Sequence, residues 1–226
     1  MGRSLLMYEL ARGPLMWVAA IVFIGGTGYR VAQLFRLTKK KERAYCPTHG
    51  IREDSPEERK LRVILFLQNS LLGRHPVMAI VALVFHFCIF AVAVLTHAHN
   101  LLWRQSWGIS FFSLSDGLID IMTVIVLLGA LFFFVRRLVV PRVRAVSTLQ
   151  DHLVLFIAAA PFLTGFMAYH QWADYRTVIT VHILAGELML AAIPFTKLGH
   201  MVFFFFARTL FGSEFSMWRG RRTWSS

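Results

Sequence analysis

The sequence has few charged residues and very few cysteines, and each scarcity excludes a class of protein. Only 16% of its 226 residues are charged and 57% are hydrophobic, whereas a soluble domain carries about 25% charged residues. The two cysteines, Cys46 and Cys88, are too few to hold an iron–sulfur cluster, and neither lies in a CxxCH motif. A soluble fold, an iron–sulfur protein and a c-type cytochrome are therefore excluded.

What the sequence does have is a series of long apolar runs. A helix needs about 20 apolar residues to cross a bilayer, and five runs approach or exceed that length, at 14–35, 76–97, 117–135, 152–169 and 178–207. These runs predict an all-α integral membrane protein of five transmembrane helices. Residues 1–226 form a single membrane domain, with a cytoplasmic loop at 36–75.

The distribution of basic residues predicts the orientation of these helices. Ten lysines and arginines lie in 36–74, four in 136–144 and four in 208–222, but only four lie in the segments on the other side. Basic residues gather in cytoplasmic segments, so the N-terminus is expected outside and the C-terminus in the cytoplasm. The net charge of +12 is thus interpreted as a result of this orientation. The predicted location is the cytoplasmic (inner) membrane, and no nucleic-acid partner is predicted.

Histidines within the apolar runs are the candidate functional residues. His86 and His97 in the second run are 11 residues apart, and His182 and His200 in the fifth are 18 apart. Both separations are close to whole numbers of helical turns, so each pair shares one face of its helix. The second and fifth runs cross the membrane in opposite directions. His86 and His200 are therefore expected at one depth, toward the cytoplasm, and His97 and His182 at another, toward the outside.

Two histidine pairs at two depths are typical of bis-histidine ligation of two b-type haems. A porphyrin takes its axial ligands from opposite faces, and its large apolar ring fits between membrane helices. Spacing alone leaves a second possibility for the ligands. His152 and His170 in the fourth run are also 18 residues apart, so the fourth run could replace the fifth.

Three stretches carry a resemblance to a known family. The fifth run contains HxxxG followed by PFTKLGH, the second contains FHF, and RRLVVPRVRAVSTLQD follows the third. Across nearly the whole chain, the sequence resembles the gamma subunit of respiratory nitrate reductase and the dihaem cytochrome b family built on it. The resemblance implies that His86 and His200 hold a cytoplasmic-side haem, and that His97 and His182 hold a periplasmic-side haem. The assignment of His97 is the weaker one, because family members place this ligand one residue closer to the first ligand. His99 therefore remains an alternative to His97.

The resemblance also implies a function in electron transfer. Family members pass electrons between the quinone pool and partner subunits, and the nitrate reductase type oxidises quinol near its outer haem with a lysine close to the start of the third span. This chain has SLSDG there, with Asp116 and no lysine. We therefore favour the family's other setting, the transmembrane redox complexes of sulfate-reducing bacteria, in which the partners are a periplasmic multihaem cytochrome c and a cytoplasmic iron–sulfur subunit.

Other polar residues complete the set of candidates. Glu187, Asp116 and His99 are candidates for a menaquinone or proton site, Gly186 for close approach of a porphyrin, and Lys197 for a haem propionate. The alternative functions are a quinol-oxidising nitrate reductase anchor, a proton channel that uses the histidines as a relay, and a structural anchor without haem.

Overall fold

A computed structural model describes residues 2–39, 55–57, 60, 64 and 71–203. Most of the predicted cytoplasmic loop at 36–75 and the end of the predicted fifth span, which reached residue 207, lie outside these ranges. Within them the chain is helical and contains no β-strand. In chain order the helices are α1 Gly2–Leu10, α2 Met16–Lys39, α3 Leu71–Arg74, α4 Pro76–Leu95, α5 His97–Trp107, α6 Asp116–Val139, α7 Pro141–Arg144, α8 Leu149–Tyr169 and α9 Tyr175–Ala192.

Five of the described segments are long and apolar enough to span a membrane, which confirms a multi-pass helical membrane protein. They are Leu5–Arg36, Pro76–Leu95, Asp116–Val139, Leu149–Tyr169 and Tyr175–Phe195. The first combines α1 and α2 through a π-helical turn, Ala11–Leu15, which contains Pro14. Proline lacks the amide hydrogen that a continuous α-helix requires, and a π-turn is one way to accommodate that loss.

The second and fifth spans differ from the predicted runs at their ends. The second was expected to continue to residue 97, but α4 ends at Leu95 and Thr96 has an extended backbone, with φ −68° and ψ 130°. In the fifth, α9 ends at Ala192, and two short 3-10 turns, Ile193–Phe195 and Lys197–Gly199, follow. Pro194 cannot donate the backbone hydrogen bond that would continue α9.

The chain divides into two compact units, described separately. The first comprises residues 1–24 and 81–198, and the second comprises 25–80 and 199–226. In the first unit α8 packs against both α6 and α9, and the π-turn and α1 contact α9. Its core is formed by buried side chains of α4, α6 and α8, namely Phe85, Cys88, Ala91, Val92, Ile119, Met122, Val126, Ala130 and Phe162.

Side-chain hydrogen bonds define the start of two helices. At α8, Thr148 and Asp151 form a capping box, in which the Asp151 carboxylate accepts from the Thr148 backbone amide. At α9, the carboxylate of Asp174 accepts from the hydroxyl of Thr177 at 2.7 Å and from its backbone amide at 2.9 Å. These bonds favour the ionised carboxylate and lower the pKa of Asp174.

A close contact between α4 and α6 depends on one glycine. A Cβ atom placed on Gly129 would lie 2.6 Å from Cδ2 of Phe85, a side chain of the buried core. The ring therefore fills the space that any other residue at this position would need. In contrast, a Cβ on Gly117, in the same helix, would meet no atom within 4 Å.

Replacing Gly129 with alanine is expected to destabilise the protein. The added methyl group would displace Phe85, and overpacking of this kind costs about 1–3 kcal/mol. Thermal unfolding of the detergent-solubilised protein would measure the change, with Gly117→Ala as the matched control. Equal unfolding midpoints for the two variants would contradict the close packing of Phe85 on Gly129.

Candidate functional site

The candidate site lies at the end of the first unit where α4 ends and α9 begins, and it depends on the break at Thr96. A helix that ends within a membrane must find donors for its last four carbonyl groups, because lipid supplies none. All four have a donor: Val92 O accepts from Thr96 Oγ1, Ala93 O from the His99 ring, Val94 O from Asn100 Nδ2 and Leu95 O from the Leu114 amide.

Asn100 stabilises the break. Its side chain is only 3% exposed. Its Nδ2 donates to the carbonyls of Val94 at 2.9 Å and Thr96 at 3.2 Å, and its Oδ1 accepts from the Phe111 amide at 2.7 Å. One amide side chain thus joins the end of α4, the start of α5 and the segment that leads to α6.

His99 faces His182 across this site. The centres of the two imidazole rings are 6.0 Å apart and their planes differ by 9°. His99 belongs to α5 and His182 to α9, so the two rings reach the site from different helices. The ring of Trp103, one turn after His99, lies 6.4 Å from the His99 ring.

Backbone carbonyls select the nitrogen atom that each imidazole can offer. His99 Nδ1 is 2.9 Å from Ala93 O, and His182 Nδ1 is 2.9 Å from Pro161 O. A carbonyl oxygen can only accept a hydrogen bond, so Nδ1 must carry the proton in both rings. In each neutral ring Nε2 therefore keeps its lone pair, which is the arrangement found in metal-binding histidines.

Two glycines lie beside or near the ring of His182. A Cβ on Gly165 of α8 would lie 3.0 Å from Cε1 of His182, so only glycine gives the ring this room without a shift. Gly186 is one turn after His182 on the same face of α9, and a Cβ there would meet nothing within 4 Å. In the described part of the chain, no side chain therefore packs against α9 at Gly186.

The distance between the two ring centres is compatible with a bis-histidine metal. Metal–imidazole bonds are about 2 Å long, so two imidazoles bound to opposite sides of one metal have ring centres about 6 Å apart. In the part of the chain that the structure describes, no group of three or more His, Cys, Asp or Glu residues could hold a metal ion. Two histidines would suit a haem, whose porphyrin already supplies four nitrogen ligands to the iron.

The other predicted ligands occupy different places. His97 is the first residue of α5 and is exposed, so the structure brings His182 to the alternative, His99. His86 is half-buried in α4, and its Nδ1 lies 2.6 Å from Ala82 O. His200 is exposed and belongs to the second unit.

The predicted polar candidates also have different surroundings. Glu187 is 5% exposed, and neither of its carboxylate oxygens has a hydrogen-bond partner in the described part of the chain. Asp116 is exposed at the start of α6. Lys197 was predicted to reach a haem propionate, but its Nζ donates to Asp151 Oδ1 at 2.6 Å.

One polar pair was missed by the sequence analysis. His170 Nε2 lies 2.9 Å from Asp120 Oδ1, which joins the end of α8 to the first turns of α6. Both residues were visible in the sequence, but they are separated by 50 positions, and His170 was considered only as a possible haem ligand. The signal that could have revealed the pair is Asp120 itself, an acidic residue within an apolar span, one turn after Asp116.

Replacing Asn100 with alanine should destabilise the protein and disturb His99. Two buried carbonyls and one amide would lose their partner, and each unsatisfied group costs about 1–3 kcal/mol. Thermal unfolding would measure the loss, and Gln105→Ala, at an exposed position of the same helix, is the control. An unfolding midpoint for Asn100→Ala equal to that of the control would contradict this role.

Comparison with known proteins finds a relative that matches nearly the whole chain. No protein-family model matches the chain. A protein of Nitratidesulfovibrio vulgaris, whose name is simply "Protein", is 32% identical over 219 residues, which cover 96% of this chain and 97% of that protein. The similarity therefore extends over all five spans, although the name of the relative assigns it no activity.

Proposed function

We propose that this chain, which belongs to the same protein family as the Nitratidesulfovibrio vulgaris protein, is a dihaem cytochrome b. In this proposal it is the electron-transfer subunit of an oxidoreductase complex in the cytoplasmic membrane. It carries electrons between the periplasmic side, where a multihaem cytochrome c or menaquinone exchanges them, and a cytoplasmic iron–sulfur subunit.

The observation that carries the proposal is the facing pair of His99 and His182. Their rings come from two helices, their centres are 6.0 Å apart, and the Nδ1 of each lies 2.9 Å from a backbone carbonyl oxygen, which leaves the lone pair on Nε2. An ionisable side chain within a membrane helix is unfavourable by about 2.5–3.5 kcal/mol on insertion scales, and coordination of a metal would offset this. We therefore assign His99 and His182 to the outer haem.

The assignment of the inner haem to His86 and His200 rests on the resemblance to the dihaem family. His86 lies near the middle of the second span, with its Nδ1 bonded to a carbonyl as in the outer pair. His200 follows His182 by 18 residues in the sequence, which is about five turns of a helix. The resemblance to the dihaem family supports this second pair.

The chain's own residues would prepare both sites for binding. The carbonyls of Ala93, Pro161 and Ala82 orient the imidazoles, and donation from Nδ1 makes Nε2 a stronger ligand. The apolar spans keep water away from the rings. Each haem iron, when bound, accepts and releases one electron at a time, and two haems at two depths would connect the two sides of the membrane.

The orientation follows from the basic residues. The segments 36–74, 136–144 and 208–222 carry most of the lysines and arginines, which supports a cytoplasmic location for the end of the bundle that contains α7. The His99–His182 pair is at the other end and faces the periplasm. Electrons would thus move between a periplasmic donor or acceptor and a partner bound near the basic segments.

Spectra of the purified protein test the proposal and the ligand assignment together. We expect b-type bands in the reduced-minus-oxidised spectrum and about two haems per chain. Replacing either His99 or His182 with alanine should remove one haem, because an imidazole on one side only holds the porphyrin weakly. Replacing either His86 or His200 should remove the other.

His97→Ala is the matched control, since His97 is two residues from His99 and exposed. It should retain both haems. A correctly folded wild-type protein without haem would refute the proposed function. Loss of the outer haem from His97→Ala, with both haems retained in His99→Ala, would refute only the choice of His99.

A further inference from the structure

The connecting segment, residues 96–115, leaves the bundle and returns to it at the same level. It starts where α4 ends at Leu95 and finishes where α6 begins at Asp116, and both residues are ends of candidate membrane spans. The Leu114 amide donates to the Leu95 carbonyl at 3.0 Å. This hydrogen bond closes the segment at the level of the two span ends.

The helical part of the connecting segment, α5, lies beside the spans. The ring of His99 faces that of His182, and His182 is seven residues inside the fifth span, which begins at Tyr175. Seven residues of helix correspond to about 10 Å. Asn100, the next residue of α5, is buried. The helix therefore runs alongside the first part of α9 and does not project away from the bundle.

The second half of the connecting segment presents large apolar side chains outward. Phe112 is 75% exposed, and Trp107, Ile109 and Phe111 are each more than half exposed. These four side chains fall within six consecutive residues. A contiguous apolar patch of this kind is unfavourable in water and indicates a surface that something apolar covers.

Hydrogen bonds hold the backbone that carries these side chains. Gly108 ends α5 in the left-handed conformation, with φ 70°, and its amide donates to the Arg104 carbonyl at 3.0 Å. The Phe111 amide donates to Oδ1 of Asn100 at 2.7 Å. The ring of Phe111 also lies edge-on to that of Trp103, with 5.6 Å between their centres. The outward direction of the apolar side chains is therefore built into the folded segment.

The composition of the connecting segment fits a lipid surface. No charged residue occurs from Gln105 to Ser115, and the polar residues after Gln105 are all serines. Aromatic side chains, tryptophan above all, are enriched at the membrane–water interface. The apolar surface also continues onto α6, where Leu118 and Ile121 are exposed on a helix long and apolar enough to span a membrane.

We propose that the connecting segment lies within the surface of the bilayer and that its partner is the lipid of that leaflet. Ile109 and Phe112 enter the boundary of the acyl chains, as the apolar side chains of interfacial segments do. The irregular backbone between α5 and α6 stays at the level of the headgroups, because only there can water reach amide groups that have no internal partner. The segment thereby anchors α5, and the inference does not depend on the presence of haem.

Fluorescence quenching of the full chain in lipid nanodiscs tests this inference. A Phe112→Cys variant, prepared with Cys46→Ser so that only the buried Cys88 remains of the native thiols, is labelled with a bimane fluorophore. Lipids that carry bromine on their acyl chains should cause a large loss of fluorescence. Iodide dissolved in the water should cause little loss, because it does not enter the bilayer.

Gln105→Cys in the same background is the matched control, because Gln105 is an exposed polar residue seven positions before Phe112. Its label should be quenched more by iodide and less by the brominated lipid. A second measurement uses the wild type and needs no substitution. In nanodiscs, hydroxyl radicals generated in the water should oxidise Trp107 and Phe112 far more slowly than in the denatured chain, although more than half of each side chain is exposed.

Two results would overturn the inference. Iodide quenching at position 112 as strong as at position 105 would place Phe112 in water. Protection of position 112 from both quenchers would show that protein, such as a second copy of the chain or a partner subunit, covers the surface. Neither result bears on the proposed function, which the haem content decides.

Discussion

The hydrogen bond from an imidazole Nδ1 to a backbone carbonyl is the interaction on which the site depends. In the membrane interior a histidine without a partner would be costly, and with a mobile ring it would be a poor ligand. At His99 and His182 a carbonyl removes both difficulties, because it accepts a hydrogen bond from Nδ1–H and leaves the lone pair on Nε2. At His86 a carbonyl likewise holds Nδ1. For His99 that carbonyl, of Ala93, is itself free only because α4 ends at Leu95.

The helix break and the site therefore require each other. Ending a helix among apolar segments leaves four carbonyls in need of donors, and the residues that supply the donors include His99 and Asn100. The same turn of chain that terminates α4 carries the ring that faces His182. A continuous helix through Thr96 would have satisfied its own carbonyls and would have directed His99 elsewhere.

The sequence was sufficient to predict the five spans, because an apolar run of bilayer length allows hardly any other structure. It also placed His182 within the fifth span. It could not predict the break at Thr96, since no glycine or proline marks it. Counting turns along one unbroken helix therefore favoured His97 for the outer pair and left His99 as the alternative. The partners of Lys197 and His170 are 46 and 50 residues away, and no local pattern reveals contacts of that range.

The contact of Phe85 with Gly129 has a consequence for assembly. The ring of Phe85 occupies the space where any residue other than glycine would have its Cβ atom. A shift of α4 along α6 would therefore break this contact. His86 is the next residue after Phe85, so the level of its imidazole is determined by core packing, before any prosthetic group arrives. In the proposed cytochrome, the newly made polypeptide would hold this candidate ligand at its final height before haem binds.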